Sequence, residues 1–174
     1  MNRSLTKIIS TVSSGEIAEL TARFIRIPSH WDVPTREEEM VEAVASFLSE
    51  EKIPFTLQHV GGTRNNIIAT SKGEGGGKSL ALSGHLDTVP PYNMEVEPFA
   101  AEISDGKIFG RGAVDMKGPV AAMLMTLAAY RRAEVPLKGD LVFAGVLAEE
   151  TNSDGSETLI RSGFRTDGAI VGEP

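Results

Sequence analysis

The stretch LALSGHLDTVP, residues 80–90, places a histidine and an aspartate directly after a short apolar run. The apolar residues are typical of a buried strand, which we predict over 79–83. In extended backbone, side chains two positions apart point to the same side, so His85 and Asp87 can face one site. Such a pair suits a metal-binding imidazole whose second ring nitrogen is held by a carboxylate, although the same pattern also occurs as a plain surface pair.

Acidic residues follow two further apolar runs and also lie in one glycine-rich loop. They are Glu149 and Glu150 after residues 141–147, Glu173 after residues 169–171, and Asp115 within GRGAVDMKG at 110–118. In an open α/β sheet, the carboxyl ends of the strands are where the active site collects. Imidazole and carboxylate groups together form a ligand set that suits zinc, cobalt or manganese.

Each acidic motif also has an interpretation without a site. Glu149 and Glu150 fit the acidic first turn of a helix. Asp115 fits a cap of the helix that begins near Lys117, and Glu173 fits an ordinary surface position. A metal site is favoured because all of these motifs occur together and in order in one chain.

Apolar periodicity predicts helices that alternate with strands. Strands are predicted at 55–60, 66–71, 79–83, 140–147 and 168–171, a hairpin at 105–106, and helices after capping boxes at 13–16 and 35–38 and over 118–132 and 156–162. This alternation predicts an α/β fold, with a largely parallel or mixed sheet flanked by helices. The acidic run at 37–39 is interpreted as the solvated first turn of the second helix.

Composition and charge exclude several classes of function. The 174 residues carry a net charge of −7, which argues against a nucleic-acid or anionic membrane partner. No apolar run approaches the roughly 18 residues of a transmembrane helix, and residues 1–10 lack a signal-peptide pattern, so a cytoplasmic location is expected. The absence of cysteine excludes thiolate ligands. The glycine-rich turn at 72–79 leads into a strand, unlike a phosphate-binding loop.

Four motifs together resemble the M20 metallopeptidases, the family of acetylornithine deacetylase, succinyl-diaminopimelate desuccinylase and aminoacylase. The motifs are GHLDTVP at 84–90, GRGAVDMKG at 110–118, the Glu149-Glu150 pair, and GEP at 172–174. The resemblance implies a zinc-exopeptidase-like catalytic domain that binds two divalent metal ions. Zinc is the first expectation, with cobalt or manganese as alternatives.

The resemblance also implies a ligand set for the two ions. His85 and Glu173 would bind one ion, and Glu150 would bind the second. Asp115 would bridge both ions, and the peptide bond from Asp115 to Met116 would be cis.

The implied activity is hydrolysis of the amide C–N bond of an N-acyl amino acid. Glu149 would be the general base for a metal-bridging hydroxide, and Asp87 would orient His85. Within the family, the alternative is a di- or exopeptidase that acts on short peptides. Outside it, the alternative is an inactive, truncated metal-binding fragment.

The chain departs from the family pattern in sequence and in length. Ala148 stands where many relatives carry an acid. Family members continue into a lid domain that forms a homodimer, and then return to the catalytic domain with a histidine for the second metal. Residues 1–174 are therefore expected to be the N-terminal part of a single metallohydrolase catalytic domain, without the lid and the C-terminal part. Little or no activity is expected from them alone.

Overall fold

The computed structural model describes residues 3–174, which form five helices and seven strands. The helices are α1 (Arg3–Ile9), α2 (Ser14–Ile25), α3 (Glu38–Glu50), α4 (Gly118–Ala133) and α5 (Asp154–Arg161). The strands are β1 (Phe55–Gly61), β2 (Arg64–Ser71), β3 (Leu80–His85), β4 (Glu102–Ser104), β5 (Lys107–Phe109), β6 (Leu141–Val146) and β7 (Gly168–Val171). An irregular turn, Ala113–Lys117, connects to the start of α4.

Five of the strands form one mixed sheet in the order β1-β2-β6-β3-β7. β3 is parallel to both β6 and β7, whereas β2 is antiparallel to both β1 and β6. This arrangement confirms the predicted α/β fold with its flanking helices. The carboxyl ends of β3, β6 and β7 meet at one edge of the sheet, and the register pairs His85 with Val146. The loops that leave β3 and β6 therefore begin side by side.

The main core lies between this sheet and the helices α2, α3 and α4. Nine of the 16 residues of α4 are buried, so the helix contacts neighbours on more than one side. It packs against α1, α2, β3 and β6. β6 is buried along its whole length, as expected for a central strand that is covered on both faces. The helix α1, which the motifs above do not anticipate, packs on α4 through Ile8.

The two predicted capping boxes have different outcomes. The first is confirmed, because the Ser13 hydroxyl accepts from the N–H of Glu16 and the Glu16 carboxylate accepts from the N–H of Ser13. The second, at Thr35–Glu38, is wrong. Arg36 adopts a φ of 45°, which is outside helical geometry, and α3 begins only at Glu38. The predicted hairpin at 105–106 is confirmed as the turn between β4 and β5, with positive φ at both residues.

The interpretation of residues 37–39 as a solvated acidic run is wrong for Glu37. Its side chain is buried, and its two carboxylate oxygens accept from Nε and Nη2 of Arg64 at 3.0 and 2.9 Å. This paired geometry gives the carboxylate two charge-assisted hydrogen bonds in place of water. The pair ties the start of α3 to the start of β2.

None of the helices in the part of the chain that the structure describes is both long and apolar enough to cross a membrane.

Replacing Arg64 with Met is expected to lower the free energy of unfolding by about 3 kcal/mol, because the Glu37 carboxylate stays buried without its partner. The double variant Arg64→Met/Glu37→Met removes both charges and is expected to recover most of this loss. Urea unfolding measures both, with Arg161→Met as the control, because it breaks an exposed pair on α5. A loss below about 1 kcal/mol in the single variant would contradict a buried pair.

Candidate metal centre

His85 lies at the carboxyl end of β3 with its imidazole almost fully buried. Its Nδ1 lies 3.0 Å from the backbone carbonyl oxygen of Asp87 and 3.4 Å from the Asp87 Oδ1. With Nδ1 donating to Asp87, the other ring nitrogen is the atom that can bind a metal. Nε2 lies 2.9 Å from Oδ1 of Asp115 and 3.4 Å from Oε1 of Glu173. The ring is held on one side and presented to two carboxylates on the other.

Asp115 and Glu173 reach His85 from two different parts of the chain. Asp115 lies in the irregular turn before α4, where the backbone leaves helical dihedrals at Asp115 and Met116. Glu173 follows β7, and it arrives beside His85 because β7 is the parallel neighbour of β3. One possible ligand atom from each of His85, Asp115 and Glu173 lies within 4.8 Å of the other two. The structure therefore brings together one imidazole and two carboxylates that had been predicted to bind metal.

This donor set fits a divalent metal ion such as zinc. Zinc binds imidazole nitrogen and carboxylate oxygen at about 2.0–2.2 Å, and donors around one ion lie well within 4.8 Å of one another. The side chains of Asp115 and Glu173 are about half exposed, so the cluster also has open access from solvent. Imidazole with carboxylates equally suits cobalt and manganese, and the geometry does not select among them.

Asp87 is buried just beyond β3 and joins His85 to the loop after β6. Its Oδ1 accepts from the backbone N–H of Glu149 at 3.2 Å, and its Oδ2 accepts from the N–H of Glu150 at 3.0 Å. The same side chain lies against the His85 ring. One buried carboxylate thus positions both the imidazole and the backbone of the two glutamates.

Glu149 and Glu150 differ in their surroundings, although they are neighbours in sequence. Glu149 is exposed, whereas Glu150 is half-buried. Burial, and then the carboxylate of Asp115, raise the pKa of Glu150. This interaction indicates that Glu150 belongs to the same acidic cluster, but it is not among the three residues whose ligand atoms lie close enough to share one ion.

The cluster strongly changes the acid–base properties of its members. Burial alone would lower the pKa of His85, but the carboxylate of Asp87, followed by those of Asp115 and Glu173, raises it to about 9. Burial raises the pKa of Glu173, which the positive charge on His85 partly offsets. Without a metal ion, the imidazolium therefore partly offsets the negative charge of these carboxylates at neutral pH.

Two residues of the GRGAVDMKG motif support the site, although sequence reasoning assigned them no role. Met116 is fully buried, and its Sδ accepts from the backbone N–H of His85 at 3.2 Å. Lys117 is fully buried too, and its Nζ donates to the carbonyl oxygen of Ile27 at 2.6 Å. Burial lowers the pKa of Lys117 to about 7. The expected cis peptide bond between Asp115 and Met116 is present.

A sequence model of peptidase family M20/M25/M40 matches residues 81–174, the part of the chain that carries all of these motif residues. The chain belongs to this family. The resemblance stated from the motifs is confirmed.

Two relatives in sequence are named as succinyl-diaminopimelate desuccinylases. A probable succinyl-diaminopimelate desuccinylase of Staphylococcus epidermidis is 30% identical over 171 residues, which cover 95% of this chain and 41% of that protein. Succinyl-diaminopimelate desuccinylase 2 of a Ruegeria species is 35% identical over 167 residues, which cover 90% of this chain and 40% of that protein. The chain thus spans about two fifths of the length of these relatives.

Solved structures of the family share the fold. Human carnosine dipeptidase 1 superimposes with a TM-score of 0.80 at 21% identity, over 96% of this chain and 40% of that one. The dipeptidase Dug1p of Saccharomyces cerevisiae gives a TM-score of 0.77 at 19% identity, over 91% of this chain and 37% of that one. At these identities the likeness concerns the fold of residues 3–174 and not the substrate.

In metal-free protein, we expect His85 to titrate near pH 9, because the carboxylates around it stabilise the imidazolium. Since this pKa lies above the ordinary value of about 6.5, the charged imidazole adds to the free energy of unfolding. This contribution is complete below pH 6.5 and disappears as the pH rises through 9. NMR of the ¹⁵N-labelled imidazole, recorded with a chelator present, measures the midpoint.

His30 is an internal reference in the same spectra, because burial lowers its pKa. The variant Asp87→Asn is expected to lower the midpoint of His85, since it removes the charge nearest to Nδ1. A His85 midpoint at or below about 6.5 would contradict the described cluster.

Proposed function

We propose that the protein is a metal-dependent hydrolase that cleaves the amide C–N bond of an N-acyl amino acid, in the manner of acetylornithine deacetylase or succinyl-diaminopimelate desuccinylase. The observation that carries the proposal is the convergence of His85, Asp115 and Glu173 at the carboxyl edge of the sheet. The sequence relatives named as desuccinylases support the choice of an acyl amino acid over a peptide.

In this proposal, His85 and Glu173 would hold the first metal ion, and Asp115 would be a ligand shared with the second. Glu150 would hold the second ion, since its carboxylate lies close enough to that of Asp115 for the two negative charges to raise the pKa of Glu150. When bound, the ions would polarise the scissile carbonyl and lower the pKa of the attacking water. Asp87 keeps the His85 ring in the orientation and tautomer that leave Nε2 free to bind.

Glu149 is proposed as the general base. Its carboxylate is exposed beside the cluster, while its backbone is held by Asp87. A carboxylate in this position can take a proton from the attacking water and deliver it to the leaving nitrogen. The proposal therefore separates two neighbouring glutamates, with Glu150 as a ligand and Glu149 as the proton carrier.

The resemblance to the M20 family also supports proposals for the substrate and for the assembly of the enzyme. The substrate would be a small N-acyl amino acid, and the complete enzyme would be a homodimer formed through a lid domain. A di- or exopeptidase activity is the competing assignment within the family. Substrate preference separates these two assignments, since a peptidase needs a second amino-acid residue where the deacylase accepts a simple acyl group.

Replacing Glu149 with Gln is expected to lower kcat by about 10²–10⁴-fold, because the isosteric amide cannot accept the proton. Metal content should stay unchanged, since Glu149 is not a proposed ligand. The assay uses the longest natural form of the protein, supplied with zinc, and compares N-succinyl and N-acetyl amino acids with dipeptides. Elemental analysis of the same samples gives the metal content.

The matched control is Glu102→Gln, an exposed glutamate on β4. Unchanged turnover in Glu149→Gln would contradict its role as the base. Turnover of dipeptides alone would favour the peptidase, and no turnover of any substrate by the zinc-loaded wild type would contradict the proposed function itself.

A further inference from the structure

Asn66 on β2 is a fully buried polar residue that the proposed reaction does not use. Its Oδ1 accepts from the backbone N–H of Leu147 at 3.2 Å, and its Nδ2 donates to the carbonyl oxygen of Gly155 at 2.8 Å. The same Nδ2 also donates to Oε1 of Gln58 on the neighbouring strand, at 2.8 Å. The amide nitrogen thus donates two hydrogen bonds and the amide oxygen accepts one, and two of these three bonds go to one loop.

That loop, residues 147–155 including the first two residues of α5, carries Glu149 and Glu150, and Asn66 bonds to both of its ends. The ends are also joined to each other, since the N–H of Gly155 donates to the carbonyl oxygen of Leu147 at 3.1 Å. A Cβ at Gly155 would lie 2.3 Å from the Leu147 nitrogen and 2.6 Å from Oδ1 of Asn66. Only glycine fits at this closure, so the backbone, the neighbouring strand and the side chain of Asn66 meet closely there.

The loop needs such anchors because its own backbone is unfavourable. Ala148 and Ser153 adopt φ values of 60° and 59°, in the left-handed region that non-glycine residues rarely occupy. The carbonyl oxygen of Ala148 accepts from the N–H groups of residues 151, 152 and 153, which closes a tight turn inside the loop. Residues 149, 151 and 152 are exposed, so packing holds this turn mainly at its first residue, the buried Ala148.

We propose that Asn66 is a positioning residue that fixes the loop 147–155 and thereby places Glu149 and Glu150 beside His85. This inference rests on the proposed function for its catalytic meaning, but its structural part stands on the hydrogen bonds alone. Two buried side chains, Asp87 and Asn66, hold different parts of the loop. Asp87 holds the backbone N–H groups of Glu149 and Glu150, and Asn66 holds the ends of the loop, so the two glutamates have a defined distance from the imidazole.

The test compares Asn66→Asp with Gln58→Ala by amide hydrogen exchange. Asn66→Asp keeps an acceptor for Leu147 but removes the donor to Gly155. We expect exchange at Glu149 and Glu150 to become at least about tenfold faster, with exchange at Leu82 and Phe143 in the central strands unchanged. Gln58→Ala removes a partner of Asn66 whose side chain makes no hydrogen bond to the loop, and it should leave all four amides unchanged.

Selective loss of protection separates positioning from a general contribution to stability, which would accelerate exchange throughout the sheet. Wild-type protection at Glu149 and Glu150 in folded Asn66→Asp would overturn the proposal, as would a uniform acceleration at all four amides. If the variant does not fold, amide exchange of the wild-type protein tests the proposal instead. We then expect the amides of Leu147, Glu149, Glu150 and Gly155 to exchange at the same rate, as one cooperative unit. Exchange at Glu149 and Glu150 that is independent of Leu147 would overturn the proposal.

The effect of Asn66 on catalysis is tested by measuring kcat with the substrate that the wild type turns over fastest among the N-acyl amino acids and dipeptides named above. Asn66→Asp is expected to lower kcat at least about tenfold, as misplacement of a catalytic group does, while Gln58→Ala retains wild-type kcat. Wild-type kcat together with selective loop opening would overturn the link to catalysis. A wild type without any turnover would instead contradict the proposed function, and the exchange data would still decide whether Asn66 holds the loop.

Discussion

The buried carboxylate of Asp87 links the ends of the two neighbouring parallel strands β3 and β6. It lies against the His85 ring on one side and accepts the N–H groups of Glu149 and Glu150 on the other. The parallel register brings these two strand ends together, and the carboxylate determines how the imidazole and the loop are oriented there. The rest of the site depends on this contact, because Asp115 and Glu173 could share a metal ion with His85 only if Nε2 of His85 faces them.

The arrangement has an electrostatic consequence that favours metal binding. Carboxylates from four parts of the chain gather around one imidazole, and burial raises the pKa values of Glu150 and Glu173. In the metal-free state the imidazolium of His85 partly compensates these carboxylates. A divalent ion would replace that proton and supply more charge, so metal binding would release a proton and would become tighter as the pH approaches the pKa of His85.

Local features of the chain were predictable where local physics determines them. The apolar runs marked the strands, and Ser13 with Glu16 marked the start of α2, because a capping box is formed by residues three apart. His85 and Glu173 could be grouped from their positions at the ends of predicted strands, and Asp115 from its glycine-rich motif and its resemblance to the M20 family. The meeting of His85 and Glu173 follows from the general rule that parallel strands present their carboxyl ends at the same edge. Asp115 reaches them from the turn before α4.

Single pairs of side chains that are distant in sequence and belong to no motif were not predictable. The acidic run at 37–39 gave no sign that Glu37 pairs with Arg64, 27 positions later. Asn66 stands 81 and 89 positions from its partners in the loop, and its only sequence signal is a polar residue at the start of the predicted strand 66–71. Periodicity reports that a side chain is buried, but it does not report which group satisfies its hydrogen bonds.

Anomalous X-ray scattering at the zinc edge, from zinc-soaked crystals of this chain, would show whether His85, Asp115 and Glu173 share one divalent ion. We expect an anomalous peak about 2.0–2.2 Å from Nε2 of His85 and from a carboxylate oxygen of both Asp115 and Glu173. The peak should disappear in His85→Ala. A folded wild-type chain with no peak at this position, or with zinc bound only elsewhere, would rule out the proposed metal centre.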